Sequence, residues 1–240
     1  MQNSFEENLI KKYVPKDLWQ SALEKLSKGY PVQYIVGNVE FMGNIINVNE
    51  DVLIPRFETE YLVNDVLKLI KDYDLKNPKI LDIGTGSGCI AISIKKSILC
   101  DMSALDISQK AINVAKENAS LLKTDINFIC EDMENYTCEE KYDVIISNPP
   151  YVSYDGKVDE KIKYEPQNAI FAKEDGLYFY KIIFKKALKL VNKKFIIALE
   201  IGDGQGEILQ NMAQTYFPLA KVYYKKDLNN FDRYLYIINE

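Results

Sequence analysis

Ile80-Leu81-Asp82-Ile83-Gly84-Thr85-Gly86-Ser87-Gly88 decides how the rest of the chain is read. Ile80 to Ile83 is a short, mostly apolar run that reads as a buried strand. The three glycines make a turn, and Cys89 to Ile98 reads as the helix it opens. Glycines at such a place let backbone N–H groups approach a ligand closely. The spacing Gly84-x-Gly86-x-Gly88 is not Gly-x-Gly-x-x-Gly, so a dinucleotide pyrophosphate turn is the weaker match.

Downstream the same alternation continues, which predicts an α/β fold with a mostly parallel sheet. Met102 to Leu105 reads as the second strand, ending in Asp106, and Gln109 to Leu122 as its helix. Ile126 to Cys130 reads as the third strand, ending in Glu131-Asp132-Met133, and Tyr142 to Ile146 as the fourth. Leu177 to Val191 reads as a helix and Phe195 to Glu200 as the fifth strand, followed by the turn with Gly202, Gly204 and Gly206 and a helix to about 215. Ala220 to Lys225 and Tyr234 to Ile238 close the sheet. The Lys226 to Arg233 link is too short for a crossover helix, so this last pair is expected to be antiparallel.

Three acidic or glycine-rich strand ends in succession suggest a nucleoside site. The turn comes first, with Gly84, Thr85, Gly86, Ser87 and Gly88 as candidate cofactor residues. Asp106, 20 residues beyond Gly86, can accept both ribose hydroxyls. Asp132 can accept from an adenine amino group, with Met133 packing on the ring. Each acid alone is as readily a strand-end or capping residue.

The fourth strand runs into Asn148-Pro149-Pro150-Tyr151. Two prolines stop the strand and fix φ, and Asn148 is pushed toward extended backbone by the proline after it. The corner therefore stands at the carboxyl end of a strand, where open α/β sheets bind ligands. The Asn148 side-chain carbonyl and the Pro149 carbonyl can together accept both hydrogens of one planar NH₂ group, and Tyr151 can stack over its plane. Asn148, Pro149, Pro150 and Tyr151 are the candidate catalytic residues, with Asn148 also beside the cofactor. The alternative is a capped loop without a ligand.

Upstream, residues 1–30 read as a short helical segment, with helices over 4–12 and 16–27 and Trp19 as its core. Residues 31–75 read as a β-hairpin, with Gly43-Asn44 at its turn, and a linking helix from about 58 to 72. Arg56, just before that helix, is a surface or capping arginine or faces a carboxylate ligand. Residues 76–240 form the main domain. Residues 152–170 read as a polar loop, expected to move when no substrate is present.

Composition narrows the chemistry. The 240 residues are 47% hydrophobic and 27% charged, ordinary for a globular chain with a sizeable core. A net charge of −5 argues against a broad nucleic-acid footprint. Without histidine, imidazole catalysis and His-ligated metals are excluded. The four cysteines form no Cys-x-x-Cys pair and read as reduced thiols of a cytosolic protein. No uncharged apolar run approaches the ~20 residues of a membrane span, and the charged N-terminus is not a signal peptide.

Asp82 to Gly88, Asp106, Asp132 and Asn148 to Tyr151 resemble the signature of class I S-adenosylmethionine-dependent methyltransferases that act on amide or exocyclic nitrogen. Pro31 to Gly37, Leu53 to Arg56, Glu58-Thr59-Glu60, Glu165-Pro166, Asp175-Gly176-Leu177, Glu200-Ile201-Gly202 and Lys226-Asp227-Leu228 resemble more narrowly the peptide chain release factor glutamine methyltransferases (HemK/PrmC), from about residue 30 to the end. That family usually carries a longer helical N-terminal domain than the roughly 30 residues preceding Pro31 here.

The resemblance implies a Rossmann-like fold whose seven-stranded, mostly parallel sheet has one antiparallel strand. It implies S-adenosylmethionine as cofactor, S-adenosylhomocysteine as product and no metal. The implied reaction is N5-methylation of the glutamine in the Gly-Gly-Gln motif of class I release factors, a step tied to translation termination in the cytoplasm, by a monomer without direct nucleic-acid contact. The nearest rival is an adenine-N6 methyltransferase, which shares the Asn-Pro-Pro-Tyr corner and stacks a flipped base on it. A nucleoside-binding module or an NAD-dependent oxidoreductase would need no such corner.

Overall fold

The computed structural model describes residues 2–156 and 160–240. In chain order its regular elements are α1 (Gln2–Tyr13), α2 (Trp19–Ser27), α3 (Val32–Val36), β1 (Asn38–Phe41), β2 (Asn44–Asn47), α4 (Phe57–Asp72), β3 (Lys79–Ile83), α5 (Cys89–Ser97), β4 (Asp101–Asp106), α6 (Gln109–Leu121), β5 (Asn127–Cys130), β6 (Tyr142–Ser147), β7 (Val152–Ser153), β8 (Phe171–Ala172), α7 (Tyr178–Leu190), β9 (Val191–Glu200), α8 (Gly206–Tyr216), β10 (Lys221–Lys226) and β11 (Asp232–Asn239).

Seven strands form one sheet in the order β10-β11-β9-β6-β3-β4-β5. β9, β6, β3, β4 and β5 run parallel, and β11 is antiparallel to both β9 and β10. The short link after β10 leaves no room for a crossover, which forces the reversal. The central strands are apolar on both faces because helices cover both. Ile80, Val144, Ile146 and Ala198 pack with α4 and α5, whereas Leu81, Ile145, Ile197 and Leu235 pack with α7 and α8. Successive residues of one strand thus feed opposite cores. Strand order reverses beside β3, so the ends of β3 and β6 flank a crevice.

The hairpin β1–β2 belongs to the first of these cores through Phe41 and Ile46. Its turn is one residue earlier than Gly43-Asn44. Met42 and Gly43 take the two positive φ values, 50° and 70°, and Asn44 is already the first, buried residue of β2. The preceding Pro31 block makes a short helix, α3, ended by Gly37 at φ 78°.

The N-terminal helices have their own small core of Ile10, Ala22 and Val32. Trp19 sits at its margin instead of its centre, donating its indole N–H to the Val14 carbonyl at 2.9 Å. Three short helices cannot enclose so large a ring and also satisfy its donor. In the 152–170 segment, whose movement the sequence suggests, residues 157–159 lie outside the described residues. Around them, Val152–Ser153 pairs in parallel with Phe171–Ala172, and Gln167–Ala169 makes a single helical turn.

Candidate active site

The crevice is a cavity of about 390 Å³ at the carboxyl ends of the parallel strands. That lies within the range of small-molecule sites. Gly84, Gly86, Asp106, Asp132, Met133, Asn148, Pro149 and Pro150 all line it. Val52 and Leu53 close one side, and Tyr154, Phe171, Tyr178, Phe179 and Ile183 supply apolar wall.

The turn after β3 is built by its own hydrogen bonds. The Gly84 and Thr85 N–H groups donate to the Leu105 carbonyl at 2.8 and 3.0 Å, which ties β3 to the end of β4. Gly84 and Gly86 have φ values of 72° and 54°, and a Cβ on either would meet no protein atom within 4 Å. What excludes a side chain there is the backbone conformation and the cavity itself. Thr85 and Ser87 are buried away from the cavity wall. The Thr85 hydroxyl donates to Asp82 Oδ2 at 2.7 Å, and the Ser87 carbonyl accepts from Asn118 Nδ2 at 2.9 Å. Gly88 is also off the wall. Its Cβ position would lie 3.1 Å from Ala115 Cβ, so glycine there lets α5 pack on α6.

Asp106 points into the cavity and is held by two backbone donors. Gly86 N–H reaches Oδ2 and Ser108 N–H reaches Oδ1, both at 2.9 Å. Each oxygen keeps acceptor capacity for a hydroxyl, since a carboxylate oxygen carries two lone pairs. Burial pushes the Asp106 carboxyl up, and the Ser108, Gly86 and Ile107 N–H groups oppose the shift. Asp132 accepts the Glu134 N–H at 2.9 Å, and Met133 is buried beside it. An adenosine-type cofactor fits this donor set: open backbone at the glycine turn, a free carboxylate face at Asp106, and an apolar wall with an acid at Asp132–Met133.

The corner after β6 completes the wall. Ser147 donates to the Ile83 carbonyl at 2.6 Å and clamps β6 to β3. Asn148 Nδ2 donates to Thr59 Oγ1 at 3.2 Å, and Thr59 Oγ1 donates to Glu200 Oε2 at 2.6 Å. Asn148 Oδ1 and the Pro149 carbonyl accept no hydrogen bond among the described residues. Two open acceptors thus stand at the wall of the same cavity as the glycine turn.

Tyr151 does not join them. Its hydroxyl donates to Glu200 Oε1 at 3.3 Å and lies 3.5 Å from Arg233 Nη1. Its ring packs behind the corner, beside Gly202 and the α7–α8 core, and does not line the cavity. Burial, the Glu200 carboxylate and the hydrogen bond to it raise the phenol above its ordinary range. The aromatic rings that do line the wall include the stacked pair Tyr154 and Phe171, whose centroids are 5.5 Å apart.

Several residues here gain their meaning only from the fold. Asp82 is fully buried under the turn, and burial lifts its carboxyl to about 7. Glu200 is 1% exposed and is lifted to about 7 for the same reason, with Thr59, Arg233 and Tyr151 opposing. Arg56 meets a protein carboxylate: its Nη2 donates to Glu165 Oε1 at 2.5 Å, and Glu165 Oε2 accepts the Ile54 N–H at 3.0 Å. That clasp joins the Leu53–Arg56 and Glu165–Pro166 blocks, of which Leu53 and Pro166 line the cavity. The strand-end Glu200-Ile201-Gly202 block was the available signal, but the partner of Glu200, Thr59, is 141 positions away.

The fold and this site define a methyltransferase of the Rossmann-like type, and residues 59–169 match the family model described as the methyltransferase small domain. The chain is 38% identical over 221 residues to the release factor glutamine methyltransferase of Bacillus anthracis, covering 89% of this chain and 78% of that protein. It is 40% identical over 220 residues to the protein of the same name from Thermodesulfovibrio yellowstonii, with the same coverage. The solved plantazolicin methyltransferase BpumL, in complex with a triazolic desmethylPZN analog and SAH, shares the fold at a TM-score of 0.54 and 16% identity, over 78% of this chain and 87% of that one. The chain belongs to the release factor glutamine methyltransferase family.

Proposed function

We propose that the protein transfers the methyl group of S-adenosylmethionine to the side-chain amide nitrogen (N5) of the glutamine in the Gly-Gly-Gln motif of class I peptide chain release factors. The observation that carries this reading is the pair of open acceptors, Asn148 Oδ1 and the Pro149 carbonyl, on the wall of the cavity that also holds Gly84, Gly86, Asp106 and Asp132. Family membership supports both the cofactor and the substrate class.

When bound, the cofactor supplies an electrophilic methyl group on a positively charged sulfur. Gly84, Gly86, Asp106, Asp132 and Met133 are the residues assigned to holding it. Asn148 and Pro149 take both amide hydrogens and so orient the nitrogen. An amide nitrogen is a poor nucleophile because its lone pair is delocalised into the carbonyl. Holding the reactants in line at about 3–3.5 Å supplies several kcal/mol of the barrier. With the cofactor bound, the nitrogen held by Asn148 and Pro149 would take the methyl group, the electron pair of the broken bond would stay with the leaving thioether, and the nitrogen would release its extra proton to solvent. That proton becomes acidic only once the bond forms, so no strong base is needed. Discrimination against a side chain lacking the amide hydrogens follows from the two acceptors that would be left unpaired.

In this reading one chain supplies the whole site and acts as a monomer in the cytoplasm. The acidic net charge of −5 favours a protein substrate over nucleic acid. No helix among the described residues is long and apolar enough to cross a membrane. The test is transfer of labelled methyl to purified release factor, to its Gln→Ala form and to duplex DNA. Label on the first alone is expected. Equal label on the Gln→Ala form, or label on DNA, overturns the assignment.

A further inference from the structure

We propose that Glu200 acts as a positioning residue: through the Thr59 hydroxyl it fixes which end of the Asn148 amide faces the substrate. The inference rests on the reading of Asn148 as the amide-holding residue. The Asn148 side chain is nearly symmetric in shape but opposite in chemistry at its two ends. Only the carbonyl end can receive a substrate NH₂ group. Proline-stiffened backbone fixes where the side chain begins, and it does not choose between the two flips.

Thr59 makes that choice. Its hydroxyl has one proton, and Glu200 Oε2 lies 2.6 Å away. An ionised carboxylate can only accept, so the proton goes to Glu200. Thr59 Oγ1 is then left as an acceptor, and Asn148 must turn its Nδ2 toward it, at 3.2 Å. Asn148 Oδ1 is thereby released to the cavity. Were Glu200 protonated, its own O–H could donate to Thr59 Oγ1. The Thr59 proton would then favour Asn148 Oδ1, and the amide would present NH₂ to an incoming NH₂.

Glu200 is well placed for this task. It is 1% exposed, and neither it nor Thr59 lines the cavity, so the pair can act on Asn148 without touching cofactor. The groups facing it are Glu58 and Thr59 from α4, Cys89 from α5, Tyr151 after β6, Tyr180 from α7, and Arg233 and Tyr234 from β11. Arg233 is itself bound to Asp227 through Nε at 3.0 Å. The Tyr180 hydroxyl donates to the Glu200 carbonyl at 2.8 Å and fixes the backbone. Burial lifts the carboxyl to about 7, which puts its ionisation inside the accessible pH range.

Two readouts test the relay, and one of them does not depend on the substrate. In ¹⁵N-labelled protein the Asn148 side-chain NH₂ resonances, assigned by their loss in N148A, are expected to titrate with a midpoint near the Glu200 value of about 7. In E200Q they are expected to stay fixed, because a glutamine amide gains and loses no proton in this pH range, whichever end it turns to Thr59. In the methyl-transfer assay, wild-type kcat is expected to fall roughly tenfold from pH 8 to pH 6, the change in ionised fraction for a group titrating near 7. E200Q should bring the ratio of the two rates close to one. T59A should lower kcat at least ~10-fold with S-adenosylhomocysteine affinity within about threefold of wild type, and T59S should recover most of the loss. NH₂ resonances that titrate equally in E200Q, or T59A turning over within about twofold of wild type, overturn the relay. Wild-type protein that does not methylate the release factor while its Asn148 resonances titrate as described would sink the substrate assignment and leave the relay standing.

Discussion

Gly176→Ala should damage catalysis from a position that touches neither substrate nor cofactor. Gly176 has a φ of +84°, and a Cβ there would lie 2.1 Å from the Tyr151 carbonyl oxygen, 2.9 Å from its carbon and 2.6 Å from Gln205 Nε2. Ordinary contact begins at 3.4 Å, so the corner or the 175–177 turn must move by more than an ångström. The corner cannot yield freely. Gln205 Nε2 donates to the carbonyls of Tyr151 and Asp175 at 3.2 and 3.3 Å, and its Oε1 accepts the Gly202 N–H at 2.8 Å. Left-handed backbone costs alanine about 1 kcal/mol, and overpacking adds about 1–3. For a chain of this size that lowers Tm by on the order of 10 °C. A misplacement of ~1 Å at the reacting amide costs on the order of 100-fold in kcat. Gly204→Ala is the control, because φ is +77° there and nothing lies within 4 Å of the added Cβ. It should cost ~1 kcal/mol and leave transfer within about threefold. Calorimetry and release-factor methylation of both variants decide the matter. G176A turning over within about threefold of wild type, or melting no lower than G204A, would refute the reasoning.

The other predictions concern the site itself. Asn148→Ala should abolish methyl transfer while S-adenosylhomocysteine binding, read by titration calorimetry, changes less than about threefold; parallel loss of both would remove the amide-holding role. Asp106→Asn replaces one carboxylate oxygen by an NH₂ group, removes the charge, and should weaken cofactor binding roughly 10- to 100-fold, the worth of about 1.5–3 kcal/mol for a hydrogen bond to a charged group; an unchanged dissociation constant would place the ribose elsewhere. Arg56→Ala leaves the 3%-exposed Glu165 side chain without its cation. Because the arginine end is a third exposed, we expect a loss of about 2 kcal/mol in urea unfolding, below the ~3–5 for a fully buried pair, and a loss under 0.5 would mean the clasp is not a stabilising contact. Glu200→Gln should stabilise the fold at high pH. The folded carboxyl is raised from 4.5 to about 7, so the native state binds the extra proton and wild-type stability falls as pH rises between those values. The gain in E200Q should approach roughly 3 kcal/mol at pH 8 and shrink toward pH 5. Equal unfolding midpoints at both pH values would show that the carboxylate carries no such cost.

Local punctuation explains what the sequence made legible. The β3 and β6 strands announce themselves as apolar runs stopped by Gly84 and by Pro149-Pro150, and strand ends in a parallel sheet are where the site must lie. Gly84, Gly86, Asp106, Asp132, Met133, Asn148, Pro149 and Pro150 could therefore be placed around one crevice from spacing alone, and the cavity brings them together. The antiparallel β11 was legible for the same reason, since an eight-residue link fixes direction. Thr85, Ser87, Gly88 and Tyr151 share the motifs but not the wall, because a motif names a backbone path and not the side of it each side chain takes. Tyr151 is drawn behind the corner by Glu200 and Arg233, from strands 49 and 82 positions further on. Glu165 and Arg56 were visible as separate blocks, and only the fold shows one clasping the other. Glu200 shows the limit most clearly. A lone strand-end acid reads as a surface or capping residue, yet the fold leaves Glu200 only 1% exposed, and burying a charge is tolerated only when its partners are fixed. The free energy that Glu200 and Asp82 cost the fold at neutral pH is thus concentrated at the two places where strand ends must hold a turn and an amide in one orientation.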